Sequence, residues 1–236
     1  MWSYLFRFRN HIEIPMTKKR DYIEEILLKK KRLHKKANRI KQFQKRVHPL
    51  VRGFRATMNL DRSVDYRSEW LKYGAIGYIA CLEGYFRLLV ADLINAGDPY
   101  LTNLTDYKDI KFGIEHIVAI KKEKISLGDY VSHLMSFNSV SDINYNLSIV
   151  LGRDYFELFN SSKTSLWNLK PIGEQFPDTI GNTQKLFELR HLYAHELATK
   201  ERVKVRDIEN YISSAALLVT GTEEIITSDY LVNGNA

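Results

Sequence analysis

An arginine and two histidines lie within one short segment, residues 190–195, which reads RHLYAH. His191 and His195 are four residues apart, so a helix would place them on one face. Arg190 and His195 are five residues apart, about 140° around an ideal helix, and the long arginine side chain can still reach toward the imidazole. Arginine holds phosphate through two parallel hydrogen bonds, and histidine transfers protons near neutral pH. The RHLYAH segment therefore favours chemistry on a phosphodiester.

Glu83 is an acidic residue in an otherwise apolar helical stripe, which is formed by Ile76, Ile79, Phe86 and Val90. A carboxylate that is buried without a partner costs several kcal/mol. The fold must therefore supply a cation or hydrogen-bond donors to it. A structural ion pair in the core and a catalytic role both remain open for Glu83.

A metal site is the competing interpretation of the two histidines. Two histidines four residues apart on one helix face supply half of a typical zinc site. No third histidine or cysteine follows at a suitable spacing, and the HExxH arrangement is absent. We therefore expect no metal ion and no other cofactor.

Residues 186–195, which read LFELRHLYAH, resemble the R-x4-H motif of the HEPN superfamily of helical domains (higher eukaryotes and prokaryotes nucleotide-binding). Residues 80–86, which read ACLEGYF, are similar to the long helix of that family, in which an acidic residue faces the motif. Residues 140–160 are similar to spacers in its predicted ribonuclease branches. The resemblance covers about residues 66–225 and implies a HEPN-like helical bundle.

The resemblance implies a metal-independent endoribonuclease in which two protomers form one composite cleft. His195 would be the general base or acid, Arg190 would hold the scissile phosphate, and Glu83 would orient Arg190. His191 could contact phosphate or substitute in proton transfer. The chain departs from the toxins that a nucleotidyltransferase antitoxin modifies, because Leu197 stands where those toxins carry a tyrosine.

The chemistry expected of such a site is cleavage by the RNA itself. The 2′-OH beside each phosphate is the nucleophile, a histidine accepts its proton, and a guanidinium stabilises the charge that develops on the phosphoryl group. The products would be a 2′,3′-cyclic phosphate and a 5′-OH end, and DNA would survive. The resemblance further suggests a toxin or phage-defence effector that acts on tRNA or other structured RNA, with an inhibitor or trigger protein as partner.

Positive charge is concentrated in residues 18–46, which hold 13 Lys and Arg against three acidic residues, whereas the rest of the chain holds 22 basic and 25 acidic residues. Apolar residues recur at helical intervals across residues 22–47, which predicts one long amphipathic helix that ends at Pro49. Such a block typically contacts a polyanion, here RNA; a solvated helix face and adsorption to anionic lipid are the alternatives. The cations that we assign to RNA phosphates are Lys29, Lys30, Lys31, Arg32, Lys35, Lys36, Arg39, Lys41, Lys45 and Arg46.

The composition favours helices. Glycine (12) and proline (5) are sparse, and the single Cys81 cannot form an intramolecular disulfide. Helices are predicted over residues 70–95, 114–122, 126–136, 140–151, 154–159, 183–200 and 204–226, with a short helix allowed in 101–112 and the main loop at 161–179. The expected fold is all-α: a basic helical arm, residues 1–60, before a HEPN-like bundle, residues 61–236. Whether the arm docks on the bundle is left open.

No stretch of about 18 uninterrupted apolar residues occurs, so a cytoplasmic protein without a membrane span is expected. Two other functions remain open. One is a non-catalytic HEPN-like module that binds RNA or a protein, and the other is a DNA-binding regulator, which is disfavoured because no helix-turn-helix signature stands out.

Overall fold

The structure is a computed structural model that describes residues 21–32, 38–60, 66–107, 113–123, 125–163, 170–195 and 204–233. Within these ranges the chain is all-α, with no β-strand, so the predicted fold class is confirmed. The helices are α1 (Tyr22–Arg32), α2 (Arg39–Met58), α3 (Tyr66–Ala96), α4 (Tyr100–Asn103), α5 (Ile114–Glu123), α6 (Leu127–Leu134), α7 (Val140–Leu151), α8 (Tyr155–Ser161), α9 (Ile172–Gln175), α10 (Thr179–His195) and α11 (Val205–Asn233).

The central element of the bundle is α3, which packs against α2, α6, α10 and α11. Its buried aromatic residues, Tyr78, Tyr85 and Phe86, form the middle of the core. By length and composition α3 could also cross a membrane, but 56% of the relevant window is buried inside the protein. The helix ends before Gly97, whose φ of 93° is a left-handed conformation that glycine adopts without strain.

The predicted single helix over residues 22–47 is wrong. Two helices are present, because Asn38 has extended backbone and caps α2 by accepting a hydrogen bond from the Lys41 amide. The prediction that Pro49 ends the helix is also wrong, since Pro49 lies inside α2. An internal proline costs about 3 kcal/mol or more. The burial of Phe43, Val47 and Phe54 on both sides of it offsets that cost.

The described part of the N-terminal arm is docked on the bundle. The ring of Phe43 packs edge-on against Tyr78 and Tyr85 of α3, with centroid distances of 6.2 and 5.6 Å. Helix α1 packs on α6 through a smaller core formed by Ile26, Ile125 and Tyr130. Residues 39–58 therefore contribute to the main core and do not project from it.

Most of the remaining helices lie close to their predicted positions. The predicted loop over residues 161–179 is wrong in part, because it contains α9, whose Ile172 is buried in the core. Helix α7 has the predicted bounds, because Ser139 caps its start and Gly152, with a φ of 67°, ends it. Helix α10 begins at Thr179 and not at residue 183, since the Thr183 hydroxyl donates to the Thr179 carbonyl inside the helix. Residues 196–200 of the predicted helix lie outside the described residues. Helix α11 extends beyond its predicted end to Asn233.

Candidate functional site

The central helix α3 and the late helix α10 bring Glu83 and Arg190 together. Buried Leu186 and Phe187 hold α10 against the core, and Arg190 follows them by about one turn. Its Nη2 atom lies 3.3 Å from Oε1 of Glu83, and the two side chains are 26% and 17% exposed, respectively. The cation that a carboxylate in this apolar stripe requires is therefore Arg190.

The contact between them is an ion pair without hydrogen-bond alignment. Glu83 Oε1 is buried and has no hydrogen-bond partner among the described residues. Burial raises the pKa of Glu83, while the positive charges of Arg190 and Arg87 oppose that rise. Arg87 is occupied elsewhere, because it donates to the carbonyls of Ser132 and Met135 at 3.1 and 3.4 Å. Arg190 is thus the arginine that adjoins Glu83 directly.

His191 and His195 share the exposed side of α10. Their ring centroids lie 5.1 Å apart, with the ring planes inclined by 50°. Both residues are exposed, and His195 is the last residue of α10 that the structure describes. Among the described residues no hydrogen bond, ion pair or ring contact joins this histidine pair to the Arg190–Glu83 pair. One chain therefore presents an ion pair between α3 and α10 and, next to it on α10, a pair of exposed histidines.

The RHLYAH segment is also attached to the start of α3. The ammonium of Lys72 lies 5.7 Å from the centroid of the Tyr193 ring, a cation–π contact. Lys72 is buried and forms an ion pair with Glu69 at 2.7 Å. The sequence gives no signal for this contact, because Lys72 and Tyr193 are far apart along the chain. Its effect is to tie the segment that carries both histidines to α3.

A cavity of about 700 Å³ opens between α1, α2 and α3, and we call it the cationic cavity. Its basic residues are Lys29, Arg32, Arg39, Lys45, Arg46 and His133. Its apolar residues are Leu28, Phe43, Ala80, Cys81, Gly84, Tyr85 and Leu88. Ala80 and Gly84 adjoin Glu83 on α3, and all three are partly exposed. Glu83 itself does not line the cavity, and at about 100° per residue it lies about 130° around α3 from the middle of the residues that do. The cationic cavity and the Arg190–Glu83 pair therefore lie on different sides of α3.

The cations assigned to RNA phosphates differ in whether an acidic residue already pairs with them. Arg39 donates to Glu223 at 2.7 and 3.0 Å and to Asp92 at 2.9 Å, and Lys30 forms an ion pair with Asp129 at 2.6 Å. The exposed cations without an ion pair among the described residues are Lys31, Arg32, Lys41, Lys45 and Arg46. Lys35 and Lys36 lie outside the described residues.

Lys29 is a half-buried cation of the cationic cavity. Burial lowers the pKa of Lys29 to about 8; the positive charge of Arg87 adds to this effect, and the negative charge of Asp129 opposes it. The described residues contain no group of three or more His, Cys, Asp and Glu side chains that could hold a metal ion.

Comparison of this chain with protein-family models, with curated proteins and with solved structures gave no match.

Proposed function

We propose that this protein is a metal-independent endoribonuclease with a HEPN-like active site. The observation that carries the proposal is the position of Arg190, paired with Glu83 at 3.3 Å on the helix that also presents His191 and His195 to solvent. A guanidinium beside two accessible imidazoles suits a phosphodiester, since one group can bind the phosphoryl oxygens while another moves the proton.

The proposed roles combine the resemblance to the R-x4-H motif with the contacts of each side chain. Glu83 contacts one nitrogen of Arg190, so the other guanidinium donors remain available for a phosphate. His195 accepts the proton of the 2′-OH, and His191 contacts the phosphate or transfers the second proton. The 5′-oxygen leaves with that second proton, and a 2′,3′-cyclic phosphate remains. The reaction uses the 2′-OH of RNA, so DNA is not a substrate.

A homodimer would complete this site. Within the described part of one chain His195 makes no hydrogen bond or ion pair with Arg190 or Glu83, whereas two α10 helices across a twofold axis can place His195 of one protomer beside the Arg190–Glu83 pair of the other. The proposed assembly is therefore a dimer with a composite cleft.

The exposed cations of α1 and α2 would hold the RNA. Arg32, Lys45 and Arg46 line the cationic cavity, which opens on α3, the helix that also carries Glu83. Contacts of this kind bind phosphates without reading sequence, and they weaken steeply as the salt concentration rises. A structured RNA such as tRNA is the substrate class we propose, in the setting of a toxin or phage-defence effector that an inhibitor or trigger protein controls.

The test is incubation of tRNA and total RNA with the protein in excess chelator, followed by analysis of the ends. Wild type should produce 2′,3′-cyclic phosphate ends, and Arg190→Ala and His195→Ala should not. His48→Ala, which changes an exposed histidine on α2, is the matched control and should cleave normally. Cleavage that persists in both site variants, or that requires a divalent metal, would remove the assignment.

A non-catalytic RNA-binding module is the second candidate. The low exposure of Glu83, 17%, and its buried Oε1 suit a structural ion pair as well as an orienting one. In that case RNA should shift in a gel without any product, and Arg190→Ala should reduce stability without changing RNA affinity.

A further inference from the structure

The floor of the cationic cavity is apolar, and contacts to RNA phosphates do not explain it. Leu28 is 42% exposed there, and Ala80, Gly84 and Leu88 are partly exposed. Cations alone are enough to bind a nucleic acid backbone. An exposed apolar floor below a basic rim instead matches a ligand that has an apolar body and an anionic end.

The charges around the cationic cavity favour an anion. Arg32, Lys45 and Arg46 are exposed and have no ion pair among the described residues. The acidic residue of the lining, Glu25, lies 2.8 Å from the His133 ring nitrogen and is engaged by it. The rim therefore carries a positive charge that the described residues do not balance.

The aromatic residues of the cationic cavity do not favour a nucleobase. Phe43 and Tyr85 are only 9% and 1% exposed. Their rings pack edge-to-face on each other with centroids 5.6 Å apart, and the Tyr85 hydroxyl donates to the Val219 carbonyl at 3.5 Å. Stacking of a base needs an open ring face, which neither ring provides. The accessible surface is aliphatic, which suits a hydrocarbon chain.

We propose that the cationic cavity binds a single-chain anionic amphiphile, with its hydrocarbon chain on Leu28, Ala80 and Leu88 and its terminal anion on Arg32, Lys45 and Arg46. The shared chemistry is one alkyl chain with one anionic end, which either a free fatty acid or a single-chain phosphate ester supplies. The volume of about 700 Å³ lies within the range of small-molecule sites. This proposal does not depend on ribonuclease activity.

Gly84 offers a way to close the cationic cavity without disturbing the core. A Cβ added at Gly84 meets no atom within 4 Å, so a larger side chain there would extend into the open space of the cavity. Glycine inside a helix is also less stable than a residue with a side chain. Gly84→Leu should therefore keep the fold and block the ligand. Gly53, inside α2 and with equally open space around it, gives the matched control Gly53→Leu.

The experiment is calorimetric titration of the full chain with decanoate, decyl phosphate, decanol and inorganic phosphate, all below micelle-forming concentrations. We expect one site for decanoate and decyl phosphate, at least tenfold weaker binding of decanol, and no binding of inorganic phosphate alone. Preference for decanoate or for decyl phosphate identifies the carboxylate or the phosphate ester as the source. Gly84→Leu should weaken decanoate binding at least tenfold, and Gly53→Leu should bind as wild type does.

Two further variants keep the test decisive. If Gly84→Leu lowers the melting temperature, Leu28→Glu serves in its place, because it puts a negative charge on the exposed floor and should also abolish binding of decanoate. Arg190→Ala should bind decanoate normally, which separates this site from the proposed nuclease site. Equal binding of decanol and decanoate, or binding that survives both floor variants, would overturn the proposal. Binding only to vesicles of anionic phospholipid, unchanged in Gly84→Leu, would also overturn it, since the site would then be a membrane-adsorbing surface.

Discussion

Two arginines pair with carboxylates of the central helix α3, and they are held very differently. Arg39 donates through two nitrogens to both oxygens of Glu223 on α11 and through the third to Asp92 on α3, at 2.7 to 3.0 Å. Arg190 has a single contact at 3.3 Å with Glu83, without hydrogen-bond alignment. The side chain of Arg39 is 17% exposed, against 26% for Arg190.

The difference separates a structural arginine from one that is available to a ligand. All three nitrogens of Arg39 are used to join α2, α3 and α11, so this guanidinium has little capacity left for a phosphate. Arg190 keeps most of its donors and stands beside two exposed histidines. Both residues have the same charge, and only the number and alignment of their partners distinguishes them.

Arg190→Lys should have the largest effect, and it should fall on activity. Lysine keeps the charge but lacks the fork that binds two phosphoryl oxygens, so the single-turnover cleavage rate should fall by about 10²- to 10³-fold. The free energy of unfolding should change by less than about 1 kcal/mol, because a loosely aligned, partly exposed pair adds little stability. A labelled RNA and a urea titration measure the two quantities. A rate close to that of wild type would mean that Arg190 does not bind the phosphate.

Arg39→Met should show the reverse pattern. It leaves the carboxylates of Glu223 and Asp92 without their cation, so the free energy of unfolding should fall by about 2 kcal/mol, less than for a fully buried pair. The cleavage rate measured well below the melting temperature should stay within about twofold, because a structural arginine does not reach the substrate. Lys41→Met, an exposed neighbour on α2, is the control for stability. A variant of normal stability that no longer binds RNA would place Arg39 among the RNA contacts.

Local signals predicted much of the fold. Ser139 and Gly152 mark the ends of α7, because a capping side chain and a left-handed glycine act within a few residues. The prediction that Pro49 ends the helix rests on the propensity of one residue and omits the burial of Phe43 and Phe54 in the core. Tertiary packing outweighs propensity in that case, and a single sequence does not show it.

Patterns in the sequence predict only part of the candidate site. Helical periodicity singled out Glu83 because a carboxylate in an apolar stripe needs a partner, and the structure provides Arg190. Periodicity could not separate Arg39 from the exposed cations, because its partner Glu223 lies 184 residues further along the chain. The cationic cavity has no local signal in the sequence either, since it forms where α1, α2, α3 and α6 meet.

A double change, Lys45→Gln with Arg46→Gln, tests the exposed cations of α2, which unlike Arg39 have no ion pair among the described residues. If each contacts one phosphate, the slope of log affinity against log salt should become shallower by about 2, and RNA affinity should fall by about tenfold at moderate salt. The matched control is Lys121→Gln with Lys122→Gln, an adjacent exposed pair on α5. Fluorescence anisotropy at several salt concentrations measures both. Equal losses in the two double variants would indicate that RNA responds to net charge alone and not to this surface.

The smallest expected effect is the pH dependence of stability that Lys29 causes. Lys29 lacks two carboxylate partners such as those of Arg39, and it is less exposed than Arg32, Lys45 and Arg46. Burial lowers the pKa of Lys29 to about 8 in the folded protein, whereas an unfolded lysine keeps a pKa near 10.5. Between these values the unfolded chain binds more protons, so the free energy of unfolding must increase as the pH rises from about 8 to about 10.5. The gain should be on the order of 1 kcal/mol, because solvent screens a half-buried amine.

Urea titrations of wild type and Lys29→Met at pH 7 and pH 10 measure this effect. The stability of wild type relative to Lys29→Met should rise between the two pH values, while Lys31→Met, on the exposed side of the same helix, should follow wild type at both. Binding of decanoate should change in the opposite direction and weaken above pH 8, since an anion favours the charged amine. A difference between wild type and Lys29→Met that is constant with pH would mean that the amine is well solvated and keeps its charge, and the binding of decanoate should then not weaken above pH 8.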